Sequence, residues 1–230
     1  MRIIILNCDH DPDPESNGSR LLLSFFAGRG GPEVVSYDVH GGVFPGERAL
    51  AGCDGVLITG SETSVHAKAG WVKRLEGTIR SLDRRGTPTL GICFGFELIA
   101  QALGGKVVKK GPLLEKFQSV RLTREGAEGF LFDGFPLGFK VFEYHSDVVS
   151  VLPEGASVLA RNRDAVQAFA VREMFGVQFH PEITPSLARK LAVQDGEDPR
   201  EVLNSVRDDY FLPLDVLKNF AAYCEVSAGR

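Results

Sequence analysis

Cys93 stands where a short apolar run ends and a helical pattern begins, in Thr89-Leu90-Gly91-Ile92-Cys93-Phe94-Gly95-Phe96-Glu97. Glycines two residues before and two residues after it relieve crowding in a sharp strand-to-helix turn. An elbow of this kind lifts the thiol out of the sheet edge, where a substrate can reach it. It also sets the sulfur at a helix N-terminus, whose unpaired N–H groups favour thiolate over thiol. The N–H of Phe94 then points to the place where a carbonyl oxygen would gain charge. The chemistry would be nucleophilic attack on an acyl carbon. A buried structural cysteine is the other reading, and the glycine pattern alone leaves both open.

A candidate base lies far along the chain, in Gly176-Val177-Gln178-Phe179-His180-Pro181-Glu182. A histidine that has left its strand can accept the thiol proton, and a nearby carboxylate can fix its tautomer and stabilise the imidazolium. Two residues apart on extended chain, His180 and Glu182 can project to the same side. Taken alone, a histidine at a strand end reads as a surface or hydrogen-bonded residue.

Together GICFGFELIAQALGG and VQFHPE resemble the class I glutamine amidotransferases, the type with a Cys-His-Glu triad, and within them a stand-alone, GMP-synthase-glutaminase-like member. Other segments agree in order. Val56-Leu57-Ile58-Thr59-Gly60-Ser61-Glu62-Thr63-Ser64-Val65 resembles the oxyanion-strand loop, usually written with two glycines and a proline. Glu143-Tyr144-His145-Ser146-Asp147 resembles the loop whose backbone holds the α-amino and α-carboxylate groups of glutamine. The likeness runs from Met1 to about Glu182, with a weaker echo in Asn219-Phe220.

The resemblance implies that Cys93 attacks the side-chain amide of glutamine, that His180 passes the proton to the departing ammonia, and that Glu182 orients His180. A γ-glutamyl thioester forms and water hydrolyses it. Backbone N–H groups of Phe94, Gly60 and Ser61 would hold the oxyanion, and Glu97, Ser146 and Asp147 would bind the glutamyl portion. No cofactor is implied. The implied fold is flavodoxin-like.

Three departures matter. Ser61 and Glu62 replace the usual second glycine and proline, although a backbone donor at serine serves if its φ/ψ is allowed. Glu97 replaces the usual glutamine, and an ionised carboxylate cannot donate a hydrogen bond. It could instead attract a cationic or α-amino group, or simply suit the first helical turn. No nucleotide-binding P-loop follows Glu182. The chain is therefore expected either to feed ammonia to a synthetase partner or to act alone on γ-glutamyl compounds. A non-catalytic, regulatory relative is the third reading, against which the intact triad argues.

These residues need elements to position them. Residues 3–6, 34–39, 55–58 and 89–92 read as β-branched-rich strands ending in polar or glycine turns. Residues 19–27, 67–84 and 94–103 between them read as helices. In the second of these, Trp71, Leu75, Ile79 and Leu82 recur every three to four residues and make one face. Alternation of this kind predicts an α/β fold, a mostly parallel sheet covered by helices on both faces. After Gly104-Gly105 the strand candidates crowd together, at 106–109, 119–122, 140–142, 157–160, 166–171 and 176–179. They predict a small antiparallel extension that returns to the main sheet. Asp198-Pro199 reads as a helix start, as does Pro213. A single domain over residues 1–230 is expected, with helices from about 184 to 230 covering the core.

Composition sets the outer bounds. The 230 residues are 43% hydrophobic and 24% charged, which suits a folded domain rather than disorder. A formal charge of −4 gives no reason to expect nucleic acid or an anionic membrane as partner. No apolar run could span a bilayer, and the N-terminal run ends at Asn7, too soon for a signal peptide. The four cysteines form no CxxC pair, which fits a reducing cytoplasm, and Cys8 with His10 lacks the second cluster a metal site needs. Asp9, Asp11 and Asp13 flank His10 in a loop read as solvated. His40 and His66 are set aside as well, and His145 is given a structural hydrogen-bonding role.

Overall fold

The apolar run after Met1 is a strand, β1 (Arg2–Asn7), in a computed structural model that describes residues 1–28 and 30–229. Its side chains alternate between two cores, as the twofold period of a strand requires. Ile3 and Ile5 belong to one apolar cluster, Ile4 and Leu6 to the other. Strand and helix then alternate through α1 (Gly18–Phe26), β2 (Glu33–Asp38), α2 (Glu47–Ala51), β3 (Gly55–Ile58), α3 (Gly70–Arg85), β4 (Thr89–Ile92) and α4 (Phe94–Ala102). Leu22 and Phe26 of α1 pack on the first face, with Leu57 and Leu90 beneath them. Val72, Leu75, Ile79 and Leu82 of α3 pack on the second, beside Phe96 and Ile99 of α4. Burying both faces is what makes these strands near-continuous apolar runs.

The second half adds β5 (Lys106–Leu122), α5 (Arg124–Glu128), β6 (Gly138–Val151), β7 (Ser157–Arg161), β8 (Val166–Val171) and β9 (Met174–Val177). Three helices follow: α6 (Pro185–Asp195), α7 (Pro199–Leu203) and α8 (Asp215–Ala228). Among the described residues the strands form one sheet in the order β2-β1-β3-β4-β9-β8-β7-β5-β6. Pairing is parallel from β2 to β9 and antiparallel from β9 to β6. The α/β fold with a helix-covered parallel sheet and an antiparallel extension is therefore present. Val216, Leu217 and Phe220 of α8 complete the first core, and α6 and α7 pack on Phe117 and Phe142 of the long hairpin. Asp198 caps α7 through its side chain, and a 3-10 turn at Leu212–Leu214 leads into α8.

The extension differs from the short strands that the sequence predicts. Residues 106–109 and 119–122 are parts of one strand, β5, and residues 143–147 lie within β6 rather than in a loop. The register shows why the pattern misleads. Lys109 pairs with Asp147 and Leu114 with His145, so residues 110–113 stand opposite Ser146 alone. A bulge absorbs Gly111 and Pro112, residues that read as a turn. The last strand also ends earlier than expected, at Val177, although the Gln178 N–H still bonds the Gln167 carbonyl of β8 at 2.9 Å. The five-residue helices α2 and α5 are too short to show a helical period.

Candidate active site

Cys93 follows β4 directly and caps α4, with φ 50° and ψ −103°. Side chains of L-residues rarely occupy this region, and holding one there costs on the order of 1–3 kcal/mol. Neighbours impose it. Its N–H is held by the Val177 carbonyl at 2.9 Å, and its carbonyl accepts from the Glu97 N–H at 3.0 Å. The two flanking glycines are needed for close approach. A Cβ on Gly91 would lie 2.4 Å from the Gly95 carbonyl carbon, and one on Gly95 would lie 2.6 Å from the Ile58 oxygen. Phe94, as the first residue of α4, carries an N–H that the helix itself leaves unpaired, while its ring turns into the core near Trp71.

His180 is carried over to this elbow by the sheet. Its N–H bonds the Phe142 carbonyl of β6 at 2.9 Å. Nδ1 lies 2.8 Å from Oε1 of Glu182, a carboxylate only 5% exposed. In the neutral ring, donation from Nδ1 to that carboxylate leaves Nε2 as the acceptor, and Nε2 is buried without a hydrogen-bond partner. Gly60 makes room for the ring, since a Cβ there would lie 2.7 Å from His180 Cε1. This gives a physical reason for the first glycine of the loop after β3, whereas Ser61 only accepts a turn bond from the Thr63 N–H.

The electrostatics of the pair modify the expectation of a thiolate. Burial pushes the Cys93 thiol up, and the neighbouring His180 only partly pulls it back. Burial also opposes charge on His180, but the Glu182 carboxylate and the Cys93 sulfur outweigh it and hold the imidazole well above its ordinary range. The thiol makes a 3.5 Å hydrogen bond to the Tyr144 carbonyl. Desolvation at the closed elbow thus wins over the helix N-terminus, and the imidazole is the group that retains a proton well.

Two cavities meet at Cys93, of about 260 and about 300 Å³. Ser61, Glu62 and Tyr144 also line both. His180, Glu182 and Gly60 line only the first, whereas Glu97, Ser146 and Asp147 line only the second. The residues nominated from the sequence are therefore brought together, but they are sorted to two sides of the sulfur.

The second cavity has a bonded wall. Glu97 is 4% exposed and accepts from Gln178 Nε2 at 3.0 Å. Burial, reinforced by Asp147, pushes its carboxyl up to about 7 against the pull of Gln178. Asp147 accepts from the Ser64 hydroxyl at 2.8 Å. His145 lies 2.9 Å from the Asp147 carbonyl through Nδ1 and 3.0 Å from Glu143 through Nε2, the structural role expected of it. Asn162 donates to the same Glu143 at 2.8 Å.

Three contributors escape the sequence reading. Tyr144 and Gln178 lie inside the motifs quoted for the resemblance, but only the fold shows what they touch. Asp9, Asp11 and Asp13, read as a solvated loop, line the first cavity. His10 and His40 instead stack on each other with centroids 4.5 Å apart, and His10 pairs with Glu62 at 3.3 Å. All four cysteines are free, and no group of three or more His, Cys, Asp or Glu among the described residues could hold a metal ion. No helix among them is long and apolar enough to cross a membrane.

An elbow cysteine and a buried His-Glu pair thus lie together at the carboxyl ends of parallel strands, the edge at which α/β proteins place ligands. Residues 32–196 match the profile of glutamine amidotransferase class-I, and the chain belongs to that family. Among its relatives, a GMP synthase [glutamine-hydrolyzing] of Leifsonia xyli subsp. xyli is 40% identical over 137 residues, 57% of this chain and 26% of that protein. A gamma-glutamyl-L-1-hydroxyisopropylamide hydrolase of a Pseudomonas species is 35% identical over 145 residues, 59% of this chain and 49% of that one. The chain thus spans between a quarter and a half of these two relatives. Gamma-glutamyl peptidase 3 of Arabidopsis thaliana is 27% identical over 95% of this chain and 94% of its own length. A crystal structure of a glutamine amidotransferase from Thermotoga maritima shares the fold, with a TM-score of 0.81, 21% identity and 97% of each chain covered.

Proposed function

We propose that the chain is a thiol amidohydrolase of γ-glutamyl amides, with glutamine as the smallest substrate and a γ-glutamyl thioester on Cys93 as intermediate. The observation that carries this reading is the His180–Glu182 pair, bonded at 2.8 Å through Nδ1, with the free Nε2 turned to a cavity that Cys93 shares. His180 takes the thiol proton as sulfur attacks the amide carbon. N–H groups of Phe94 and of the Gly60-Ser61 turn receive the charge on oxygen. The C–N bond breaks as His180 returns the proton to the leaving nitrogen, and the acyl group stays on sulfur. Water then enters, gives a proton to His180 and cleaves the thioester, releasing glutamate and the free thiol. Glu97, Ser146 and Asp147 hold the glutamyl end in the second cavity. With glutamine as substrate, ammonia would pass to a synthetase partner, as suits the likeness to GMP synthase. Four free cysteines fit a reducing compartment such as the cytoplasm.

Ammonia and glutamate release from glutamine and from γ-glutamyl dipeptides by the purified chain tests the reading. Cys93→Ala should lower kcat by about 10⁵-fold or more and His180→Ala nearly as much. Glu182→Gln should cost between about 10² and 10⁴, because an amide still holds the ring but supplies no charge. Full turnover by Cys93→Ala would overturn the mechanism.

A further inference from the structure

The first cavity is far larger than ammonia needs. At about 260 Å³ it exceeds many times the roughly 10–15 Å³ that admits a single water. Its position on the reaction path follows from the residues around it. His180, the group that protonates the leaving nitrogen in the mechanism above, lines this cavity and is not part of the other. The glutamyl-binding candidates line the other and are not part of this one. The nitrogen side of the scissile bond therefore points into the first cavity.

The charge of that cavity is one-sided. Asp9, Asp11, Asp13, Glu62 and Asp195 line it, and no lysine or arginine does among the described residues. One cation, Lys190, and one histidine lie close by. Lys190 sits 3.5 Å from Asp13 and 2.6 Å from Glu15, and His10 sits 3.3 Å from Glu62. Asp9 and Asp11 accept from loop N–H groups and the Ser16 hydroxyl, and no cation pairs with either among the described residues. Asp195 accepts from the Tyr144 hydroxyl at 3.5 Å. Beside it, burial together with Asp195 and Glu197 pushes Glu115 up to about 7, the response of a carboxyl in a negative field. A further acceptor without a partner belongs to the carboxylate that holds His180. Oε2 of Glu182 is an acceptor with no partner on a residue only 5% exposed, in the wall of the same cavity.

Building on the thiol-amidohydrolase reading, we propose that the preferred substrate is a γ-glutamyl amide of an amine that carries a second, positively charged group, seated among these carboxylates. Cys93 sulfur bonds the amide carbon, the C–N bond breaks, and the proton held by His180 goes to the leaving nitrogen. Water completes the hydrolysis, so the products are glutamate and a diamine-like cation. Like charges exclude an anionic leaving group from the same space.

The test uses three γ-glutamyl amides of equal chain length, those of n-butylamine, of a terminal diaminobutane and of γ-aminobutyrate, with glutamine alongside. The expected order of kcat/KM is the diamine amide above the butylamide by about tenfold, and the γ-aminobutyrate amide last. The advantage of the diamine amide should shrink as sodium chloride rises. Asp195→Asn and, separately, Glu62→Gln should each lower the ratio of diamine to butyl kcat/KM several-fold through KM. A butylamide hydrolysed as well as the diamine amide overturns this inference and leaves the hydrolase reading intact. No hydrolysis of any of the four compounds overturns both.

Discussion

The two cavities that meet at Cys93 are built by different means. In the one that holds Glu97 and Asp147, polar side chains are tied to the protein: Glu97 to Gln178, Asp147 to Ser64, and His145 to Glu143 and the Asp147 carbonyl. In the one that holds His180, two buried atoms, His180 Nε2 and Glu182 Oε2, lack partners, and carboxylates crowd the wall. A wall most of whose hydrogen bonds are made, Gln178 Oε1 behind Glu97 being the exception, selects by shape and by the few groups it presents. A wall with spare acceptors and net charge selects by what can satisfy them. Under the proposed function, the bonded side receives the glutamyl group by shape and the acidic side selects the leaving group by charge.

Three substitutions probe that division. The largest effect is expected from Gly60→Ala, because the added Cβ would overlap His180 Cε1 at 2.7 Å and push the ring off its line to the sulfur. A displacement near 1 Å costs about 10²-fold in kcat, with KM little changed. Steady-state kinetics with a thermal melt as a folding control checks this. Unchanged kcat in a folded variant would mean that the ring is not positioned by that contact.

Glu97→Gln addresses the acyl side and its pH response. Because the folded protein holds this carboxyl up at about 7, the fold favours its neutral form. The stability contributed by neutral Glu97 is full below the ordinary carboxylate range and is lost as pH rises through about 7. Glutamine at this position stays neutral, and its amide can serve the buried Gln178 Oε1, which has no partner. The stability gap in favour of Glu97→Gln should open between about pH 4.5 and 7 and level off near 1–3 kcal/mol. Apparent KM for γ-glutamyl substrates should fall several-fold above pH 7, with kcat held. Denaturant melts across pH and a KM profile read both. A gap of constant size would show that Glu97 is ionised throughout.

The smallest effect is expected from Ser64→Ala, which removes one bond to Asp147 worth about 1 kcal/mol. KM should rise a few-fold for every γ-glutamyl compound alike, because the contact lies on the side common to all of them. A change confined to one leaving group would contradict the separation of the two cavities.

Much of this was legible in the residues. Gly91, Cys93 and Gly95 announce the elbow, because a strand-to-helix turn imposes local steric demands that a few neighbouring residue types must meet. The apolar run of Ile3 to Leu6 and the spacing of Trp71, Leu75, Ile79 and Leu82 announce a sheet covered on both faces, since periodicity is itself a local property, although the helix buries Val72 rather than Trp71. The hairpin of β5 and β6 was not legible. Its ladder resumes after residues 110–113 only because Leu114 finds His145 across the sheet, and such pairing depends on a partner strand rather than on neighbours in sequence. Nor could the residues alone place Asp9, Asp11 and Asp13 beside His180. Sequence nominated the groups proposed to attack, shuttle a proton and orient the base. Tertiary structure decided on which side of the sulfur each lies, that burial keeps the thiol from ionising readily, and that carboxylates from distant segments share one wall. These are properties of distance and solvent exclusion, which arise only once β1, β4 and the chain after β9 end at the same edge of one sheet.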